Sequence, residues 1–313
     1  MENMKAVRIH SYGGPEVLRF EDAPRPTPGA GELLIRVHAA AVNPVDGKIR
    51  AGYMKEIFPF ALPFTPGWDV SGVVEATGSG VTKFKKGDEV YARPDLSRNG
   101  AYAEYVAVKE AEAALKPRSI DHVHAAAIPI VASTAWQALF DRAALGQDQR
   151  ILIHGGAGGV GSFAVQLAKW KGAYVIATAS TRNQAFLREL GVDEPIDYEK
   201  TRFEDVVHDV DVVFDTIGGD IQARSWKVLK KGGILVSIVG PPPSTEEAAK
   251  HGVRSAFFSA QTNASQLAEI AKLVDSGKIY PIVETVLPLA EARRAHELTE
   301  KGHARGKIVL KVA

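Results

Sequence analysis

A chain of 313 residues with 45% hydrophobic and 24% charged side chains is long enough for about two domains and is not composed for disorder. Its 38 basic and 37 acidic residues leave a net charge of +1, which argues against nucleic acid or an acidic membrane as the main partner. No cysteine is present, so disulfides, thiolate metal ligands and thiol nucleophiles are excluded.

The N-terminus, MENMKAVRIH, lacks the apolar stretch of a secretory signal, and no apolar run approaches the roughly 20 residues that span a bilayer. The expectation is a soluble, cytoplasmic protein. The first third reads as short strands at 5–9, 32–40, 69–76, 89–92 and 102–108, separated by Gly/Pro turns such as Ser11-Tyr12-Gly13-Gly14-Pro15. That texture predicts a β-barrel-like or sandwich domain. From 124 to 139 the chain is Ala-rich and apolar, which suits buried helix. Strands and helices then alternate: strands at 151–154, 174–178, 210–215 and 234–239, helices at 161–171, 183–190 and 221–229. This βαβ order builds a doubly wound parallel sheet. Pro241-Pro242-Pro243 closes the run, an amphipathic helix follows at 265–276, and strands near 282 and 308–312 restore the first texture. The fold class is therefore α/β, with one domain over 1–121, an inserted one over 122–260, and a return to the first over 261–313.

The segment Ile151-Leu152-Ile153-His154-Gly155-Gly156-Ala157-Gly158-Gly159-Val160-Gly161 carries G-x-G-x-x-G between a strand and a helix. Gly156 permits a tight turn, Gly158 lets backbone approach a pyrophosphate, and Gly161 lets helix pack on strand. The helix start, with Gly159 and Val160, offers free N–H groups to phosphate. Strand before and helix after supply the context that a dinucleotide site needs. An acid some 20 residues past the glycines would favour NAD; the chain has Ala177-Thr178-Ala179-Ser180-Thr181-Arg182-Asn183 there. Ser180 and Arg182 can donate to a 2′-phosphate, so NADPH is the expected cofactor. Their plainer reading is a helix cap and a solvated arginine.

With these residues in hand, the chain resembles the zinc-free quinone oxidoreductase and enone reductase branch of the medium-chain dehydrogenase/reductase superfamily. The resemblance runs through Val42-Asn43-Pro44-Val45-Asp46, Thr65-Pro66-Gly67-Trp68-Asp69, Phe84-Lys85-Lys86-Gly87-Asp88, Gly100-Ala101-Tyr102-Ala103-Glu104-Tyr105, the glycine loop and Ala304-Arg305-Gly306-Lys307-Ile308-Val309. It implies a Rossmann domain inserted into a GroES-like catalytic domain, an active site in the cleft between them, and a homodimer. The zinc alcohol dehydrogenases of that superfamily have Gly-His-Glu where this chain has Gly67-Trp68-Asp69, so no metal is expected. His122-x-His124 reads as a helix start.

Without a Lewis acid, hydride addition to an enone, enal or quinone is easier than reduction of a simple ketone. The resemblance places Asn43 and Asp46 at the active site; Lys48 and Tyr53 are candidates to reach the substrate oxygen. Asn43 as turn starter, Asp46 as helix cap and a solvated Lys48 are the plainer readings. By resemblance, Thr134 belongs near the nicotinamide and Tyr198 near the 2′-phosphate. Gly218, Val239, Gly240, Phe257 and Phe258 follow strand ends where ligands bind, and Lys307 is assigned to the phosphates. Two other readings stay open: an enoyl-thioester reductase, and an NADPH-binding protein that does not turn over.

Overall fold

The computed structural model describes residues 2–302 and 304–313. In chain order it contains β1 (Asn3–Ile9), β2 (Leu18–Pro24), β3 (Glu32–Val42), α1 (Pro44–Arg50), β4 (Val70–Thr77), β5 (Glu89–Ala92), β6 (Tyr105–Lys109), β7 (Ala113–Leu115) and α2 (His122–Ala126). Next come α3 (Pro129–Trp136), β8 (Arg150–Ile153), α4 (Gly159–Trp170), β9 (Tyr174–Ala179), α5 (Gln184–Glu189), β10 (Glu194–Asp197), β11 (Val210–Asp215), α6 (Gly219–Ser225), β12 (Leu229–Ser237), α7 (Thr245–Lys250) and β13 (Arg254–Phe257). The chain ends with α8 (Ala264–Asp275), β14 (Val283–Pro288), α9 (Ala292–Glu300) and β15 (Lys307–Lys311).

Two compact units result. One comprises Met1–Ile130, Thr262–Gly277 and Pro281–Ala313, the other Val131–Gln261 and Lys278–Tyr280. The division falls at Ile130/Val131 instead of the expected 121/122. The reason is packing: Ala126 and Ala127 cluster with Ala39 and Ala41 of β3 and Val309 of β15, so α2 belongs to the first unit. The short excursion 278–280 is held by Gln166, whose Nε2 donates to Tyr280 O at 3.0 Å and whose Oε1 accepts the Tyr280 N–H at 2.8 Å.

The first unit is built on a mostly antiparallel sheet of order β14-β15-β3-β4-β5-β7, with β6 also on β3 and only β14 and β15 parallel. Alternation along β3 and β4 puts Leu33, Ile35, Val37, Val70 and Val74 into one core with Val90, Tyr102 and Val106. α8 covers part of this unit with Leu267, Ile270, Ala271 and Val274, spaced along one face. Asn263 caps it, its side chain accepting from Ser265 N and Gln266 N.

The second unit carries an all-parallel sheet of order β10-β9-β8-β11-β12-β13. Counted from β8 this is 3-2-1-4-5-6, the Rossmann order, which reverses direction between β8 and β11. β8, β9 and β11 are buried on both faces where consecutive apolar residues run, at 151–153, 175–177 and 212–214. The strand expected to end at Val239 ends at Ser237, because the Ser237 hydroxyl donates to Asp215 and accepts the Val239 N–H at 3.2 Å, turning the chain.

Candidate functional site

The glycine loop of the second unit runs from β8 into α4, and its glycines divide their work differently from the sequence reading. The left-handed residue is Gly155, at φ +70°, and not Gly156. Gly156 is required by packing: a Cβ there would lie 2.8 Å from Ala177 Cβ on β9. Gly161 is required by helix–strand contact, since its Cβ would lie 2.1 Å from Gly155 O. Gly158 is different. A Cβ there would meet only Gly155 O, at 3.5 Å, an ordinary contact. The protein's own packing therefore leaves room at Gly158, and close approach of a ligand accounts for the glycine. Gly158 is also the N-cap of α4 and makes no side-chain cap, so the first N–H groups, at Gly159, Val160 and Gly161, face no intrahelical acceptor. A twelve-residue helix with a side-chain-free cap suits a pyrophosphate.

Behind this loop lies a group that the sequence reading passed over. The His154 ring is buried between Thr178 Oγ1, 3.2 Å from Nδ1, and Ser225 Oγ, 3.0 Å from Nε2. Burial pushes its pKa down to about 4, so it is neutral. Thr178 Oγ1 also accepts the Gly155 N–H at 3.3 Å, and the Thr216 hydroxyl donates to His154 O at 2.7 Å. Together these bonds tie the ends of β8, β9 and β11 to the start of the glycine loop.

The remaining cofactor candidates gather at strand ends. Ser180 follows β9, and its side chain makes no helix cap; its Oγ accepts from Asn183 Nδ2 at 3.2 Å. Arg182 is exposed beside it. Tyr198 follows β10 and is 54% exposed, so buried packing does not explain its phenol. Gly218, at φ +80°, caps α6 after β11, its N–H donating to Asp215 Oδ1 at 2.8 Å. Asp215 accepts in addition from Ile217 N, Gln222 and Ser237, which fully occupies it within the fold. Val239 and Gly240 follow β12. Phe257 ends β13 and is half-exposed, whereas Phe258 is buried with the Arg142 guanidinium over its ring. Thr134 is buried on α3.

In the first unit, Asn43, Asp46 and Lys307 come together with two residues the sequence reading did not assign, Asp69 and Tyr102. Asp46 is the third residue of α1, and its Oδ2 accepts the Asn43 N–H at 2.9 Å and the Tyr102 hydroxyl at 2.7 Å. Burial pushes its carboxyl up to about 7, against the pull of those two donors. Asn43 Nδ2 donates to Asp69 Oδ2 at 2.9 Å, and Asp69 Oδ1 accepts the Ile130 N–H at 2.7 Å. Lys307 corrects its assignment: it is neither a surface lysine nor available to phosphates. It is 4% exposed, and its ammonium donates to Val42 O, Asn43 Oδ1 and Asp69 Oδ2. Burial raises the Asp69 pKa and lowers that of Lys307, and each partner opposes the other's shift.

At the far end of α1, Arg50 is buried, its guanidinium meeting Gly13 O, His296 Nδ1 and Glu300. Arginine only donates, so His296 Nδ1 accepts, and the proton sits on Nε2. Burial and Arg50 hold that imidazole down to about 3. The helix is thus fastened at both ends. Lys48 and Tyr53 do not join this network: Lys48 is exposed and Tyr53 is 83% exposed, linked only by the Tyr53 N–H to Lys48 O at 3.0 Å.

Against known proteins, residues 29–118 match the alcohol dehydrogenase GroES-like domain and residues 190–310 match the zinc-binding dehydrogenase family. An NADPH-dependent alkenal/one oxidoreductase, chloroplastic, of Arabidopsis thaliana is 39% identical over 99% of this chain and 80% of its own length. The chain belongs to the medium-chain dehydrogenase/reductase superfamily. A solved quinone oxidoreductase from Coxiella burnetii superposes on this superfamily member with a TM-score of 0.94 at 38% identity, covering all of both chains. A mycobacterial protein solved in complex with NADPH gives a TM-score of 0.88 at 30% identity, over 99% of this chain and 100% of its own. The first unit is accordingly the GroES-like half of the family and the second the Rossmann half. Among the described residues, no group of three or more His, Asp or Glu side chains is placed to hold a metal ion.

Proposed function

We propose that the chain is an NADPH-dependent oxidoreductase that passes hydride to a quinone or an α,β-unsaturated carbonyl without a metal. The observation that carries this reading is Gly158, a glycine that the protein's own packing does not demand, at the uncapped start of α4. The names of the relatives point to the same chemistry. Bound at that loop, NADPH supplies the hydride; the chain's residues hold, orient and hydrogen-bond. Gly156 through Gly161 receive the pyrophosphate, and Ser180, Arg182 and Tyr198 receive the adenosine 2′-phosphate. Thr134, Gly218, Val239, Gly240 and Phe257 are assigned to the nicotinamide half.

In the first unit, Asn43 and Asp46 are assigned to hold α1 in place, since both are buried and hydrogen-bonded to each other and to Asp69, Tyr102 and Lys307. They fix α1, which carries Lys48, and so the start of the turn after it, which carries Tyr53. Those two exposed groups are assigned to donate hydrogen bonds to the oxyanion that develops when hydride adds to a conjugated acceptor. Water supplies the proton where neither does. The cation beside Asp69 is the Lys307 ammonium, which fits a mechanism with no metal there. By family expectation the enzyme is a cytoplasmic homodimer; no described helix is long and apolar enough to cross a membrane.

A steady-state panel tests this reading, with NADPH oxidation followed on a quinone, a short enone and a saturated ketone. Turnover of the first two and not of the third is expected. Tyr53→Phe should cut enone turnover by at least about ten-fold. Equal turnover of the ketone, or no loss in Tyr53→Phe, Lys48→Ala and Asp46→Asn alike, contradicts it.

A further inference from the structure

The segment after β9, Ala179-Ser180-Thr181-Arg182-Asn183, has no carboxylate. The fold delivers two from the neighbouring strand. β10 lies in parallel register beside β9, with Asp197 opposite Ala179. The chain beyond it, Tyr198-Glu199-Lys200, turns back over the same strand end, the Tyr198 N–H donating to Ala179 O at 3.2 Å. There Glu199 Oε2 accepts the Thr181 backbone N–H at 3.1 Å, and Asp197 Oδ2 accepts the Thr181 hydroxyl at 2.6 Å. Both donors of Thr181 are taken by acids.

The two acids differ in how firmly they are held. Asp197 accepts from the Thr181 hydroxyl, from the Glu199 N–H at 3.1 Å and from Lys200 at 3.4 Å, and these donors hold its carboxyl below the usual range. Glu199 is an exposed side chain resting on one backbone N–H. In a Rossmann sheet, a carboxylate at the end of the second strand accepts from the ribose 2′-hydroxyl, whereas a 2′-phosphate needs donors there. This strand end carries both sets at once: Ser180, Arg182 and the Thr181 N–H as donors, Glu199 and Asp197 as acceptors.

We propose that Glu199 is a specificity-determining residue of the dinucleotide site, a carboxylate that occupies the Thr181 N–H until a 2′-phosphate displaces it. The inference rests on the dinucleotide reading above. Its consequence is that NADH is accepted with Glu199 in place, and NADPH only by giving up one ionic hydrogen bond and bringing a phosphate close to a like charge. The enzyme is then dual in cofactor use, with a preference for NADPH smaller than Ser180 and Arg182 alone would give.

Calorimetry on the full chain tests this with two half-cofactors: 2′,5′-ADP, which carries the 2′-phosphate, and 5′-AMP, which carries the free diol. Glu199→Gln keeps the size of an exposed side chain and removes its charge. The expected result is about five-fold tighter 2′,5′-ADP, the scale of one exposed ion contact, with 5′-AMP unchanged or weaker. The gain should shrink as salt rises, which a loss of bulk alone would not produce. An unchanged ratio of the two affinities in Glu199→Gln, while wild type binds 2′,5′-ADP, overturns the inference and leaves the dinucleotide reading standing. If wild type binds neither half-cofactor nor NADPH, both fall.

Discussion

A lysine that is 4% exposed keeps its charge only where a fixed set of oxygens replaces water, and Lys307 has three: Val42 O, Asn43 Oδ1 and Asp69 Oδ2. Lys307→Met leaves the Asp69 carboxylate buried without its counter-ion. A loss of about 3–5 kcal/mol in denaturant unfolding is expected, the scale for a broken buried pair. Asp46 makes a pH prediction. Its carboxyl is raised to about 7 in the fold and titrates near 3.8 when unfolded. Between those values the native state holds the proton and the unfolded state has lost it, so stability falls as pH rises through that window. Asp46→Asn keeps an acceptor for Tyr102 and removes the titration. Relative to wild type it should gain on the order of 1 kcal/mol per pH unit from about pH 4 to 7, read from urea midpoints. A difference that does not vary with pH would refute the shift. Asn43 and Asp46 were legible in the sequence as a turn starter followed by a helix-cap acid. Tyr102, 56 positions from Asp46, carried no local signal, because only the pairing of distant strands brings it there.

At the scale of elements, the glycine loop separates packing from ligand binding. Gly158→Ala has ordinary room, so unfolding stability should stay within about 1 kcal/mol while NADPH affinity, read by nicotinamide fluorescence, falls ten-fold or more. Gly161→Ala meets Gly155 O at 2.1 Å and should be markedly less stable with or without cofactor. Equal destabilisation by both substitutions would mean that Gly158 serves packing after all. The strands flanking this loop were readable because β8, β9 and β11 are short apolar runs between turn signals. Other elements were not, β10 and α9 among them. β10 is only Glu194–Asp197 and contains a proline, and α9 buries just Ala292, Ala295 and His296 under a polar surface, too narrow a stripe to mark a helix. The same weak signal hides Asp197 and Glu199, because the acids at the end of β9 come from the neighbouring β10 and the turn after it and not from the segment that follows β9.

For the whole molecule, two textures of sequence became two units, and strand–helix alternation announced a parallel, doubly wound sheet; its six-strand order β10-β9-β8-β11-β12-β13 comes from the structure, since two of the strands left no clear signal. The junction at Ile130/Val131 was less legible, since the apolar, Ala-rich run from α2 into α3 suits burial against either sheet. Under the proposed function, this fold reduces conjugated acceptors with NADPH and no metal. The most direct measurement is NADPH-dependent reduction of a quinone and an enone after exhaustive chelation, with metal content assayed alongside and a saturated ketone in parallel. Full rates on quinone or enone in metal-free protein, with the ketone inert, are the result expected. Activity that disappears on chelation and returns with zinc would contradict it.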